Sequence, residues 1–259
     1  MNAVTFRSIK KAPKKATKKA TRPSSIVVEL EKNGTPFYMV LTNLITSSSN
    51  DKTGDMIQSY FLKKDEFISP TGEVREQTSN LFGFGCDTCP AKKHCYVSNT
   101  KQTKDKGLGS VRRTIFKLLR GERTTYQFVS FSHAVSRVRS ANKKIRLGTY
   151  GDPTALGVDQ IAELVSAASG HTGYTHYWRR KENRDYSRFL MASCETASQQ
   201  ARAEKYGFRA FLALPENAEI PQDTVVCPNY TQGISCLKCG LCDGKKEEDN
   251  RPSIVIELH

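Results

Sequence analysis

From about residue 125 onward, stretches with the apolar pattern of β-strands alternate with stretches that have the pattern of amphipathic helices. The strand patterns lie at 144–150, 173–178, 189–193 and 208–214, and the helical patterns lie at 125–142, 159–169 and 197–206. Alternation of this kind predicts βαβ units, whose right-handed crossovers build a parallel sheet or a barrel. Because only four or five such units fit into the chain, we expect an α/β fold with a partial or distorted (β/α) barrel.

The chain before this region has a different pattern. Two β-rich runs, 25–30 and 36–45, flank Asn33-Gly34, a dipeptide that is typical of tight hairpin turns. We therefore expect a β-hairpin and loop extension over residues 26–80, followed by a metal-bearing, barrel-like domain over residues 81–259. Within that domain, apolar residues at helical spacing predict a further helix at 112–120.

Residues 1–25 contain eight lysines and arginines and no acidic residue, in a protein of 259 residues with a formal net charge of +14. Like charges repel and little apolar surface is present, so the segment predicts a disordered tail. Its composition is similar to that of the basic tails of linker histones, which neutralise phosphates without reading sequence. The alternative is a merely solubilising extension. No secretory signal and no apolar run long enough for a membrane span is present, so the sequence predicts a cytoplasmic protein.

A basic chain suggests nucleic acid as its partner, and we expect DNA rather than RNA. Arginines and lysines near aromatic residues also suit a single strand, whose phosphates and bases need different partners. The alternative for such runs is a solvated surface. The candidate nucleic-acid-binding residues are Lys10, Lys11, Lys14, Lys15, Lys18, Lys19, Arg112, Arg113, Arg179 and Arg180.

Seven of the eight cysteines lie in two groups, and the later group forms the quartet Cys227-x8-Cys236-x2-Cys239-x2-Cys242. A Cys-x2-Cys pair brings two thiolates onto one turn, where both can bind one metal. Structural disulfides, in contrast, are typical of short secreted chains. Three cysteines at successive x2 spacings are typical of iron–sulfur proteins, which favours a [4Fe–4S] cluster over the alternative, Zn²⁺.

The earlier group forms the triplet Cys86-x2-Cys89-x5-Cys95, which has no obvious fourth cysteine. Cys194, at the end of a predicted strand, or His94 could complete the site. Alternatively, the fourth iron of a cluster is left open to a substrate or cofactor. Cys194 is equally explained as a small buried hydrophobic residue, and His94 as an exposed loop residue.

Candidate pocket residues follow the predicted strands, where α/β folds gather their functional sites. Gly148 and Gly151 would let a ligand approach the backbone, and Asp152 could accept hydrogen bonds or bind a metal. In a strand, His176 and Trp178 would share one face and point into the mouth of the barrel. The alternatives are a tight turn with Asp152 as a cap, and a core strand whose aromatic residues pack.

Five segments together resemble a family of cysteine-rich barrel proteins encoded by phages and plasmids, whose iron–sulfur arrangement is similar to that of radical S-adenosylmethionine enzymes. These segments are CDTCPAKKHCYV, RLGTYGDP, GYTHYW, FLMASCET and VVCPNYTQGISCLKCGLCDG. The resemblance covers about residues 82–245 and implies one cluster on the triplet and an auxiliary one on the quartet. It also implies S-adenosylmethionine, although the triplet departs from the Cys-x3-Cys-x2-Cys spacing of that enzyme class.

Two hypotheses follow. The first is an iron–sulfur protein of the host cytoplasm that acts on or with nucleic acid, with one or two [4Fe–4S] clusters. If it is an enzyme, the triplet would be the reactive centre and Asp152, His176 and Trp178 would line the pocket. The second is a non-catalytic nucleic-acid-binding protein, such as a replication or DNA-packaging accessory protein, with structural zinc or iron–sulfur sites.

Overall fold

The structure is a computed structural model that describes residues 23–48, 50–75, 83–89, 92, 95 and 106–257. The candidate lysines of the basic segment and His94 therefore lie outside the described residues. The described strands are β1 Ser25–Lys32, β2 Thr35–Thr42, β3 Ile57–Lys63, β4 Tyr126–Phe128, β5 Ile145–Tyr150, β6 His171–Thr175, β7 Met191–Cys194, β8 Ala210–Leu214, β9 Thr224–Val226 and β10 Ser253–Glu257.

Six α-helices and three short 3₁₀ helices accompany the strands in the described part of the chain. The α-helices are α1 Lys106–Leu119, α2 Phe131–Ala141, α3 Val158–Ala167, α4 Ala197–Lys205, α5 Pro228–Gln232 and α6 Cys236–Cys239. The 3₁₀ helices are Lys64–Glu66, Pro153–Ala155 and Lys181–Arg188.

All ten described strands form one sheet in the order β4-β1-β2-β3-β5-β6-β7-β8-β10-β9. In it β2 runs antiparallel to its neighbours β1 and β3, and all the other described strand pairings are parallel. The predicted α/β class is confirmed. No pairing of described residues joins the two outer strands, β4 and β9, so the sheet is open in its hydrogen bonding.

The predicted hairpin forms from β1 and β2 around Asn33 and Gly34, whose φ angles are 51° and 75°. Positive φ at both central residues matches the right-handed twist of the two strands. Through β3, which pairs in parallel with β5, the hairpin is continuous with the rest of the sheet.

Alternating side chains bury both faces of the sheet. On one face α2 and α3 pack on residues such as Ile145 and Leu147, and α4 packs on Ala192 and Leu212. On the other face, α1 covers the hairpin strands and the segment that carries the cysteine quartet covers Met191, Ile254 and Ile256. The quartet therefore lies where a covering helix would otherwise be expected.

Candidate metal centres

All four cysteines of the quartet line one cavity on this second face of the sheet. The sheet side of the cavity is formed by Thr172 and Tyr174, which point to the same face of β6, and by Ile254 of β10. Cys236 and Cys239 belong to helix α6, Cys242 follows in the next loop, and Cys227 comes from the end of β9.

Backbone hydrogen bonds hold each part of the quartet in place. The N–H of Cys227 donates to the carbonyl of Val255 at 2.8 Å, and the N–H of Cys236 donates to the carbonyl of Lys52 at 2.8 Å. The carbonyl of Cys242 accepts from the N–H of Gly173 at 3.0 Å. Both the sheet and the loop before β3 thus fix the positions of these cysteines.

Tyr174 connects the sheet to a sulfur atom of the quartet. Its hydroxyl donates a hydrogen bond to the Cys242 thiol, and its ring packs on Phe211 with the centroids 4.7 Å apart. Burial raises the pKa of Cys242 to about 12, against the opposing effect of the Tyr174 hydrogen bond. The thiol is therefore protonated at neutral pH unless a metal displaces the proton.

Two cations face the same cavity. The guanidinium of Arg146 lies 5.5 Å from the centroid of the Tyr174 ring, and Arg146 and Lys52 both oppose the rise that burial causes in the pKa of Cys236. The net pKa of Cys236 is still raised, because desolvation is the largest effect. The positive charge of Arg146 and Lys52 favours the ionised form of the Cys236 thiol.

Arg209 fixes the loop that follows the quartet. The side chain is buried, and its Nη1 donates to the carbonyls of Leu241 at 2.8 Å and Gly244 at 3.1 Å, on either side of Cys242. Its Nε and Nη2 donate to two further carbonyls, those of Arg251 and Pro252. One guanidinium thereby sets the backbone path around a candidate ligand.

The triplet lies at the other end of the parallel strands, beside the end of β5. The N–H of Gly151 donates to the sulfur of Cys86, and Cys89 and Cys95 are close enough to raise the pKa of Cys86 electrostatically. Burial is the larger cause, and the pKa of Cys86 reaches about 12. Cys89 and Cys95 therefore lie within electrostatic reach of the Cys86 thiol.

Tyr177 ties the triplet loop to the loop after β6. Its hydroxyl donates a short hydrogen bond to the carbonyl of Gly85 and also hydrogen-bonds to the hydroxyl of Thr88. Gly85 and Thr88 flank Cys86 and precede Cys89, so this contact fixes the loop that presents both thiols.

Asp152 joins the ends of β5 and β6. One carboxylate oxygen accepts from the N–H and hydroxyl of Thr154 and from the hydroxyl of Thr175, at 3.0, 2.8 and 3.0 Å. The other accepts from the N–H of His176 at 2.9 Å. These bonds make Asp152 the cap of the 3₁₀ helix Pro153–Ala155, which corresponds to the turn that the sequence offered as the alternative role.

The predicted strand at 173–178 is wrong in its bounds, because β6 ends at Thr175 and the chain turns at His176. His176 is partly buried at this turn, and desolvation lowers its pKa. Trp178 does not share a strand face with it. Trp178 is completely buried, and its Nε1 donates to the carbonyl of Ser193 at 2.8 Å. It packs in the core rather than lining an open pocket.

Gly148 and Gly151 have φ angles of 71° and 78°. A Cβ on Gly151 would lie 2.2 Å from the carbonyl oxygen of Phe61, and one on Gly148 would lie 2.8 Å from the ring of Pro153. Both positions are therefore explained by close backbone packing. Gly151 also presents its N–H to Cys86, so it acts at the triplet through a backbone group.

Cys194 lies apart from both cysteine groups. It is completely buried with Trp178, Ala203 and Phe208 in the apolar layer between the sheet and α4, and burial raises the pKa of its thiol to about 12. The layer is on the face of the sheet opposite the quartet. This environment corresponds to the small hydrophobic residue that the sequence left as an alternative.

The candidate nucleic-acid-binding arginines divide by exposure. Arg112 is buried and pairs with Glu66 at 3.5 Å, so its assignment to a nucleic-acid surface is wrong. Arg113 is exposed on α1, Arg180 is also exposed and Arg179 is partly exposed. The guanidinium carbons of Arg179 and Arg180 lie 4.4 Å from the ring centroids of Trp178 and Tyr177, respectively.

Sequence reasoning missed four side chains that position the two cysteine groups: Arg146, Tyr174, Tyr177 and Arg209. No local pattern marks an arginine that will bond to loop carbonyls more than thirty residues later. Tyr174 and Tyr177 stand in the segment GYTHYW, whose predicted pocket residues are His176 and Trp178.

Among the described residues, no group of three or more histidine, cysteine or acidic side chains is close enough together to hold a metal ion. No described helix combines the length and apolar character needed to cross a bilayer. Comparisons with protein-family models, curated proteins and solved structures find no match for the chain. The resemblance to phage- and plasmid-encoded proteins therefore stays a prediction.

Proposed function

We propose that this is an iron–sulfur protein of a reducing compartment, of phage or plasmid type, which acts on or with nucleic acid. The observation that carries the proposal is that all four quartet cysteines line one cavity against the sheet. We further propose that its open sheet is part of a distorted (β/α) barrel, whose strand ends face the triplet.

The chemistry of the side chains around the quartet cavity supports a [4Fe–4S] cluster. The cavity offers four sulfur donors, and three of them have the x2, x2 spacing that is typical of iron–sulfur proteins. Four thiolates around a [4Fe–4S]²⁺ core carry a net charge of about −2, which the nearby Arg146 and Lys52 offset. The hydroxyl of Tyr174 supplies a hydrogen bond to one sulfur.

The triplet supports a second cluster with a different role. Cys86, Cys89 and Cys95 supply three thiolates, which leaves one iron without a cysteine ligand. An iron of this kind binds a substrate or a cofactor, and S-adenosylmethionine is the cofactor that the sequence resemblance suggests. Around it, Gly151 donates to the Cys86 sulfur and Asp152 holds the turn at His176. We assign the chemistry to this end of the strands.

Anaerobic purification followed by reconstitution with iron and sulfide tests the cluster directly. We expect a brown protein with broad visible absorption and about four iron and four sulfide per cluster. Cys242→Ala should lose one cluster, whereas Cys194→Ala, a matched control outside both groups, should keep the iron content of the parent protein.

A colourless protein that carries stoichiometric zinc and no sulfide would overturn the iron–sulfur proposal. It would support the alternative, a non-catalytic nucleic-acid-binding protein with structural zinc. If the protein is brown, adding S-adenosylmethionine to the reduced form tests the enzyme. Cleavage of the cofactor or a changed cluster spectrum supports it, and the absence of both counts against it.

A further inference from the structure

Five arginines on one side of the molecule lie over aromatic rings, and we call these arginines with their rings the arginine–aromatic surface. The guanidinium carbons lie 4.4 to 5.4 Å from the ring centroids. The pairs are Arg179 on Trp178, Arg180 on Tyr177, Arg184 and Arg202 on Tyr206, and Arg188 on Phe189.

None of these five arginines forms an ion pair with a described carboxylate. Other arginines of the described chain do: Arg112 pairs with Glu66, and Arg251 pairs with Asp243 and Asp249. Arg180, Arg184, Arg188 and Arg202 are also exposed, and Arg179 is partly exposed. The guanidiniums of this surface are therefore not engaged in ion pairs within the described structure.

The aromatic rings hold the guanidinium groups in place. Trp178 is completely buried and its Nε1 is bonded to Ser193, while the hydroxyl of Tyr177 is bonded to Gly85 and Thr88. A guanidinium that rests on a fixed ring loses less entropy when it binds a ligand than a freely rotating one. Its edges remain able to donate to phosphate, and its outer face remains able to stack.

The surface begins at the triplet. The ring of Tyr177, on which Arg180 lies, is hydrogen-bonded through its hydroxyl to Gly85 and Thr88, on either side of Cys86. From there the pairs follow the 3₁₀ helix Lys181–Arg188 and reach α4 through Arg202 and Tyr206. A ligand lying along it would have one end beside the proposed reactive centre.

We propose that the arginine–aromatic surface binds single-stranded nucleic acid and directs it toward the triplet. Guanidinium edges bind the phosphates, and bases stack on the outer faces of the guanidiniums, as bases do on arginine planes in other complexes. A duplex offers phosphates but no free base faces, so the surface selects single strands. This inference rests on the nucleic-acid partner in the proposed function and adds the form of that partner.

The test is fluorescence anisotropy of the full chain with a labelled single-stranded DNA of about 20 nucleotides, and with the matching duplex as competitor. The double variant Arg180→Gln, Arg184→Gln should bind the single strand about 10- to 100-fold more weakly, because two stacking positions are lost. The slope of log affinity against log salt should fall by about 2.

Two further variants separate stacking from charge. Arg180→Lys with Arg184→Lys keeps both charges, so we expect an unchanged dependence of affinity on salt. Because the planar guanidiniums on which bases stack are lost, affinity should fall by about tenfold. Arg123→Gln with Arg139→Gln removes two charges from exposed positions elsewhere, and affinity should fall by less than about threefold. Unfolding midpoints and iron content show that each variant keeps its fold and clusters.

Each outcome bears on one proposal. If the protein binds DNA but the glutamine variant binds as tightly as the parent, this inference is overturned and the nucleic-acid partner stands. Equal loss of single-strand and duplex binding shows a phosphate-only surface and also overturns it. If the parent protein binds no nucleic acid, the partner in the proposed function fails and the inference fails with it, whereas the iron content decides the cluster separately.

Discussion

The hydroxyl of Tyr174 donates a hydrogen bond to the sulfur of Cys242, across the face of the sheet that the quartet covers. The tyrosine belongs to β6, and the next two residues of the chain, Thr175 and His176, are bonded to Asp152 near the triplet. Adjacent residues of β6 thus bond to the quartet on one face of the sheet and to the aspartate beside the triplet on the other.

Tyr174→Phe removes the hydrogen-bond donor and keeps the ring. We expect the proposed quartet cluster to assemble but to have a reduction potential lower by roughly 40 mV. A hydrogen bond to sulfur stabilises the more negative, reduced state, here by about 1 kcal/mol. Redox titration monitored by spectroscopy measures the shift. Tyr126→Phe, in the outer strand β4 on the far side of the sheet, should leave the potential unchanged.

Arg209→Lys keeps a positive charge but cannot reach four carbonyl oxygens at once. We expect the free energy of unfolding to fall by about 2–4 kcal/mol, because buried acceptors at Leu241, Gly244 and Pro252 lose their donors. Cluster loss on exposure to a chelator should also become faster. Arg139→Lys, at an exposed position on α2, should change stability by less than about 0.5 kcal/mol. Equal behaviour of the two variants would contradict the positioning role.

Gly151→Ala tests the close contact at the end of β5. The new methyl would lie 2.2 Å from the carbonyl oxygen of Phe61, so the backbone must shift and the N–H that bonds to Cys86 moves with it. We expect more than about 3 kcal/mol of destabilisation, measured by denaturant unfolding. Gly121→Ala is the matched control, since its φ is 73° and nothing lies within 4 Å of the added carbon. Its cost should be about 1–2 kcal/mol.

His171 predicts a pH dependence of stability. Its pKa is lowered to about 4, chiefly by burial and also by the charge of Lys246, against the opposing charge of Asp243. The ring N–H donates to the carbonyl of Phe189 at 3.0 Å. Because the unfolded chain binds this proton more readily than the folded chain, neutral His171 contributes to the stability of the folded state above pH 6.5. It is lost as the pH falls toward 4, at a total cost of up to about 3 kcal/mol.

His171→Gln removes this titration while keeping a hydrogen-bond donor. Unfolding curves between pH 4 and 7 should therefore have a smaller slope of stability against pH for the variant than for the parent. Both proteins share every other acid-sensitive group, so the difference between their slopes isolates His171. Parallel pH profiles would contradict the assignment.

The sequence predicted those parts of the fold that depend on local pattern. The hairpin at Asn33-Gly34 follows from a dipeptide that accepts positive φ, and α3 at Val158–Ala167 follows from the apolar spacing that buries Ile161 and Leu164. The bounds of β6 could not be read in this way. The strand ends at Thr175 because Asp152, 23 residues earlier, binds the Thr175 hydroxyl and the next N–H.

Spacing alone also grouped the seven cysteines and separated them from Cys194, because ligands on one turn need only local chain geometry. Tertiary structure decided which residues surround them. Arg209 meets the quartet loop, Tyr174 meets Cys242 and Tyr177 meets the triplet loop only after the sheet has formed. Such contacts join residues tens of positions apart, so no local pattern encodes them, and the packing of distant segments on the sheet determines them.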